Sequence, residues 1–138
     1  METPEFVTLL NEDLETEFRS IVQYVQHIAI IKGAEYMSTV DELKTHVFQE
    51  LQHALVLAEQ VEFLGGTPSV RVEEPPATTD SRRALELDLE LERGQLERYR
   101  ERSAQAADLG LADVAEALRP LLAQTQEHVR DLEAVLGS

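Results

Sequence analysis

Three features of this 138-residue chain predict an all-α fold, a four-helix bundle made of two antiparallel hairpins joined by a long crossover. Four long segments carry apolar residues three and four apart, the period of a helix with one buried face. Single glycines break the first segment from the second and the third from the fourth. A Pro/Gly-rich stretch of very different length, GGTPSVRVEEPPATT, separates the two pairs.

The first segment runs over about residues 4–32. Thr3 can cap it, Pro4 suits the first helical position, and Gly33 stops it. The second covers about 36–64 and ends at Gly65-Gly66. The third covers about 80–108, and Gly110 breaks it from the fourth, about 111–136. Pro120 falls inside the fourth and is expected to kink it. Turns as short as those at Gly33 and Gly110 force antiparallel pairing. Residues 65–79 are long enough to cross the length of a bundle, which an up-down-up-down chain would not need. The whole chain, 1–138, is read as one domain.

Composition narrows the chemistry. Without cysteine, disulfides, zinc–thiolate sites and iron–sulfur clusters are excluded, so any metal must be held by oxygen and nitrogen. A net charge of −15 repels nucleic acid and anionic lipid. Purely apolar runs such as Ile28-Ala29-Ile30-Ile31 and Ala54-Leu55-Val56-Leu57-Ala58 are far too short to span a bilayer, and no signal peptide is visible. The cytoplasm is the expected location.

Each helical stripe is apolar at its ends and polar in the middle. They read Leu14, Glu17, Ile21, Tyr24, Ile28, Ile31; then Leu43, His46, Glu50, His53, Leu57, Leu64; then Leu85, Leu89, Glu92, Leu96, Tyr99; then Leu118, Leu121, Thr125, His128, Leu132. The halves repeat at an offset of 75 without a gap. Asp13 matches Asp88, Glu17 matches Glu92, Tyr24 matches Tyr99, Gln49 matches Gln124 and His53 matches His128. Shared leucine spacing is common to amphipathic hairpins, but it does not account for matched Glu, Tyr and His. One match fails, because Glu50 meets Thr125.

A carboxylate in a helical core is costly unless it is paired or bound to a cation. Glu17, Glu50 and Glu92 share the stripes with two histidines and with no Lys or Arg. A divalent metal would supply the missing charge. In Glu50-Leu51-Gln52-His53 the ligand types lie three apart, on one helix face. Paired-metal bundles take one Glu from each of two helices and Glu-x-x-His from each of the other two. Five of those six groups are present: Glu17, Glu50, His53, Glu92 and His128. Iron suits the set, and manganese and zinc are also accepted by such ligands. His46 is expected to be a hydrogen-bonded core histidine, and the acidic residues of the third helix, Asp88 among them, a solvated face.

LNEDLETEFRSIVQY, QELQHA and FLGGTP resemble the first half of bacterioferritins, and DLELERGQLERY and EHVRDLE resemble their third and fourth helices. The resemblance covers about residues 9–136. It implies a ferritin-like fold and an iron-oxidising di-iron centre. One iron would fall to Glu17 and His53, the other to Glu92 and His128. Glu50 would bridge them, and Tyr24 would stand beside the centre with a redox or hydrogen-bonding role. The family's second bridging Glu falls at Thr125, which implies a weaker or mononuclear site, or an added bridging anion. The haem-binding Met of the family is replaced by Leu51, so no haem is expected. The expected partners are Fe(II), dioxygen or peroxide, and further copies of the chain, at least a dimer. The expected function is ferroxidase activity serving iron storage or detoxification. The alternatives are a non-storage oxidase or peroxide scavenger, and a non-enzymatic bundle with a degenerate metal site.

Overall fold

The computed structural model describes residues 1–137. It contains α1 (Thr3–Ile30), α2 (Met37–Phe63), α3 (Ser81–Asp108) and α4 (Ala112–Leu136), with a short 3-10 turn at Ala34–Tyr36. Among the described residues there is no strand. α1 packs most extensively on α2, and α3 on α4. The two hairpins then meet through α1 on α3 and α2 on α4. Residues 64–80 carry the chain between them.

The helix ends follow local chemistry. Thr3 is already helical, and the amides of Glu5 and Phe6 bond the Glu2 carbonyl, so no side chain caps α1. α2 closes through Gly65, held at φ 90°, and the amide of Gly66 returns to the Val61 carbonyl at 2.9 Å. A side chain at Gly66 would strike Val7, because a Cβ there would lie 2.5 Å from that valine's Cγ1. The pair therefore seats the start of the crossover against α1. Asp80 caps α3 by accepting a hydrogen bond from the Arg83 amide at 2.7 Å. α4 runs through Pro120 without a break. Both Pro120 and Glu116, whose carbonyl the ring leaves without a donor, are exposed, so water can serve that carbonyl.

Two apolar clusters close the ends of the bundle. One gathers Phe6, Leu10, Leu14, Leu57, Val61, Leu118 and Leu121. The other gathers Leu43, Leu85, Leu89, Val129 and Leu132 with Tyr24. Each fully buried leucine removes enough apolar surface from water to contribute roughly 2 kcal/mol. Between the clusters lies a polar layer, and the charged stripe positions converge there.

Two further buried pairs tie α1 to α3. Arg102 donates to Asp13 at 2.8 and 3.3 Å. His27 Nδ1 lies 2.7 Å from Asp88, which also accepts from Gln23 at 2.9 Å. Asp88 is thus fully buried rather than part of a solvated face. The burial reflects its partner across the bundle, which its own helix does not reveal. The two pairs obey the internal repeat, because His27 and Arg102 stand at the same offset of 75 as Asp13 and Asp88. Arg102 and His27 partner these aspartates, and among the described residues no Lys or Arg pairs with the central glutamates.

Candidate metal centre

The carboxylates of Glu17, Glu50 and Glu92 and the imidazoles of His53 and His128 come together in the polar layer, each at most 1% exposed. They form two overlapping triads, Glu17–Glu50–His53 and Glu50–Glu92–His128. The ligand atoms of each triad lie within 4.8 Å of one another, and Glu50 belongs to both. Each helix supplies its part by period. Glu50 and His53 are one turn apart on α2, Glu17 and Glu92 face each other from α1 and α3, and His128 comes from α4.

The histidines are oriented from behind. His53 Nε2 donates to the Gln124 side-chain oxygen at 2.7 Å, and His128 Nε2 donates to that of Gln49 at 2.6 Å. Each imidazole is therefore locked by a glutamine of the opposite hairpin. With Nε2 turned to its glutamine, each Nδ1 faces inward toward the carboxylates. His53 Nδ1 lies 3.7 Å from Glu17 and 3.4 Å from Glu50. His128 Nδ1 lies 3.0 Å from Glu50 and 3.3 Å from Glu92.

The outer carboxylates are held too. Glu17 accepts hydrogen bonds from Gln95 at 2.7 Å and from the hydroxyl of Tyr99. Glu92 accepts from Tyr24 at 2.8 Å. Tyr24 and Tyr99 thus play matching parts in the two halves. Burial, followed by the charge of Glu92 for Tyr24 and of Glu17 for Tyr99, pushes both phenols well above their ordinary value, so they stay protonated donors.

Electrostatics separate the carboxyl groups. Burial, then the charges of Glu17 and Glu92, pushes the Glu50 carboxyl well above the usual range. Burial would also raise Glu92, but its neighbours Glu50, His128 and Tyr24 outweigh it and bring that carboxyl to about 2. Without a metal, burial and the neighbouring charges favour the protonated form of Glu50, and the groups around Glu92 favour its charged form. That is the response of a carboxylate cluster lacking a cation.

Four buried polar atoms here have no hydrogen-bond partner: Glu17 Oε2, Glu92 Oε2, His53 Nδ1 and Thr125 Oγ1. Buried polar groups are normally satisfied, so such a set calls for an absent partner. Lone pairs of oxygen and neutral imidazole nitrogen, brought together at this spacing, fit divalent metal ions. Thr125 sits buried at the place its repeat mate Glu50 predicts, with a hydroxyl in place of a carboxylate.

His46 breaks the symmetry in the other direction, since its repeat mate is Leu121. Its ring stacks on His128 with centroids 3.9 Å apart. Nδ1 lies 3.4 Å from the Tyr24 hydroxyl and Nε2 lies 3.1 Å from Asp131, so both nitrogens are engaged. Burial, then His128, lowers its basicity against the opposing pull of Asp131. A cleft of about 150 Å³ reaches His46, Gln49 and His128 from the surface between α2 and α4, with Glu42, Glu127 and Asp131 at its mouth.

Periodicity alone misses the orienting groups. Gln49 and Gln124 carried a signal, since they match across the repeat. Gln95 carried none, because its repeat mate is the small hydroxyl residue Ser20.

The ferritin-like domain family model matches residues 7–138. The chain belongs to the ferritin-like family. It is 30% identical over 141 aligned positions to a bacterial ferritin of Pseudomonas aeruginosa, covering 97% of this chain and 88% of that one. A ferritin-like, diiron-carboxylate protein of Bacillus anthracis superposes with a TM-score of 0.92 at 30% identity, covering 99% of both chains. BfrA of Mycobacterium tuberculosis shares the fold at a TM-score of 0.86 and 24% identity, covering 97% of this chain and 84% of that one. Membership confirms the bundle predicted from the four periodic segments. Among the described residues no helix is long and apolar enough to cross a membrane.

Proposed function

We propose that this ferritin-like protein oxidises Fe(II), its substrate, in the polar layer of the bundle, with dioxygen or peroxide as the electron acceptor. The observation that carries the reading is the pair of overlapping Glu/His triads, in which Glu17 Oε2, Glu92 Oε2 and His53 Nδ1 lack a hydrogen-bond partner. Glu17 and His53 would hold one ion, Glu92 and His128 the other, and Glu50 would lie between them. Bound iron would supply the redox chemistry. The chain supplies charge, orientation and exclusion of water. Gln124 and Gln49 present the imidazole lone pairs, Tyr99 and Tyr24 fix the outer carboxylates, and Glu50 gives up its proton when a cation arrives. Tyr24 is assigned the redox or hydrogen-bonding role beside the centre, because its hydroxyl touches both Glu92 and His46. The acidic mouth at Glu42, Glu127 and Asp131 suits a cation's approach to the His128 side.

Three carboxylates balance only three of the four positive charges of two Fe(II) ions. The expected result is one well-held ion and one weaker one. Thr125 favours, as a second reading, a mononuclear or degenerate site in a bundle without turnover. Self-assembly is supported by a patch of exposed apolar side chains on α1 and α2: Val22, Val25, Phe48, Leu51 and Leu55. A closed shell of copies would serve storage, whereas a dimer would serve detoxification in the cytoplasm.

Adding Fe(II) to metal-free protein in air, with near-ultraviolet ferric absorbance and bound metal per chain recorded together, tests the proposal. Ferric absorbance that rises faster than in buffer, with between one and two ions bound per chain, is expected. Bound metal without turnover selects the degenerate site, and no bound metal overturns both readings.

A further inference from the structure

On the α1–α3 face, and lined by none of the candidate metal ligands, a pocket of about 400 Å³ gathers Arg19, Arg83 and Arg98, with Gly94 and Pro76 of the crossover beside them. Acidic residues outnumber basic ones 27 to 12 in this chain, so three arginines around one pocket run against its composition. Two of them have no carboxylate partner. Arg19 takes part in no ion pair or side-chain hydrogen bond among the described residues, and its Nε is buried without an acceptor. Arg98 donates only to the neutral Thr16 hydroxyl at 3.0 Å and the Gln95 side-chain oxygen at 3.3 Å. Arg83 has one partner, Glu86 at 3.6 Å. Glu90 is the one acidic residue of the lining, and it forms no ion pair with any of the three.

A buried guanidinium N–H without an acceptor is costly, and an absent anion is the partner its chemistry calls for. The planar fork of arginine matches the oxygens of a tetrahedral oxyanion. Gly94, the repeat mate of Arg19, keeps the floor open, since a Cβ there would meet nothing within 4 Å. We infer that this pocket binds a phosphate group through Arg19, with Arg83 and Arg98 supplying charge around it. The phosphate could be the free ion or part of a nucleotide, and both share this chemistry.

Equilibrium dialysis of the metal-free protein against labelled inorganic phosphate, at constant ionic strength set with chloride, tests the inference. The metal-free form keeps iron from binding the phosphate itself. Saturable binding of one phosphate per chain is expected. Arg19→Gln should weaken it at least tenfold, Arg19→Lys should weaken it severalfold because the fork is lost while the charge stays, and Arg130→Gln, outside the pocket, should leave it unchanged. A parallel series with ADP assigns the source: tighter binding than phosphate points to a nucleotide, equal or weaker binding to the free ion. Phosphate uptake that does not saturate, or that Arg19→Gln leaves intact while the variant melts like the parent, would overturn the site.

Discussion

Thr125→Glu would restore the repeat at the one core position where it fails to match a ligand, and its effect should change sign with metal. In the metal-free protein a fourth carboxyl group would join three others, in a space where ligand atoms lie within 4.8 Å of one another. Two unit charges at that distance repel by about 3.5 kcal/mol at an effective dielectric constant of about 20. Protonation relieves part of this, leaving a cost of about 2–4 kcal/mol, comparable with other buried uncompensated charges. For a chain of this size each kcal/mol moves the midpoint by about 3–5 °C, so the metal-free variant should melt about 6–20 °C below the parent. With two divalent ions present, the net charge of the centre falls from one positive to zero. The attraction recovered is of the same order, and dehydration removes much of it. A gain of about 1–2 kcal/mol remains, or roughly tenfold in affinity for the second ion. Thermal melts with and without Zn(II), which has no redox chemistry, measure both effects on one sample, and calorimetric titration gives the stoichiometry. A metal-free melt equal to the parent's, or an unchanged stabilisation by zinc, would refute the placement of Thr125 against the ions.

Other outcomes follow from the same geometry. Glu50 has a folded pKa raised above its unfolded value, so its contribution to metal-free stability is full below the ordinary carboxylate range and is lost as pH rises through the folded value. The metal-free midpoint should therefore fall as pH rises above that range, and metal binding at neutral pH should release protons, read from titrations in buffers of different ionisation enthalpy. Gln124→Leu removes the acceptor that orients His53 and should cost about 10–100-fold in metal affinity with little loss of helix content by circular dichroism. Arg102→Met leaves the Asp13 charge buried without its partner and should cost about 3–5 kcal/mol in denaturant unfolding, while the metal stoichiometry stays as in the parent. Gly94→Ala has open space for its methyl group and should stabilise α3 by up to about 1 kcal/mol.

The bundle was legible because its signals are local. Glycine stops, the long crossover and stripes of period 3.6 are all written along single helices, and the family comparison agrees with the fold they predict. The five ligand residues could be named because charged side chains in the middle of an apolar stripe are conspicuous. Asp88 and Arg102 were not legible in the same way. Asp88 stands between Glu86 and Glu90, and Arg102 follows Arg100 and Glu101, so each reads as one more charge in a charged run. Only the approach of α1 makes their positions interior ones. His46 illustrates the remaining difficulty. Its burial followed from the stripe, but its stacking on His128 and its bond to Asp131 depend on how α4 docks, which no single-helix pattern encodes.

The reciprocal glutamines have a mechanical consequence. Neither imidazole takes its Nε2 partner from its own hairpin: His53 leans on Gln124 and His128 on Gln49. Sliding one hairpin along the other by a single turn would release both rings at once, whichever half was disturbed. The clamps against such slippage sit partly in the crossover, where Asn11 grips both the Thr67 carbonyl and the Ser69 amide, and Gln26 holds the Thr78 carbonyl. Loosening that strap, far from any ligand, should therefore blur the two inner coordination spheres together rather than one before the other.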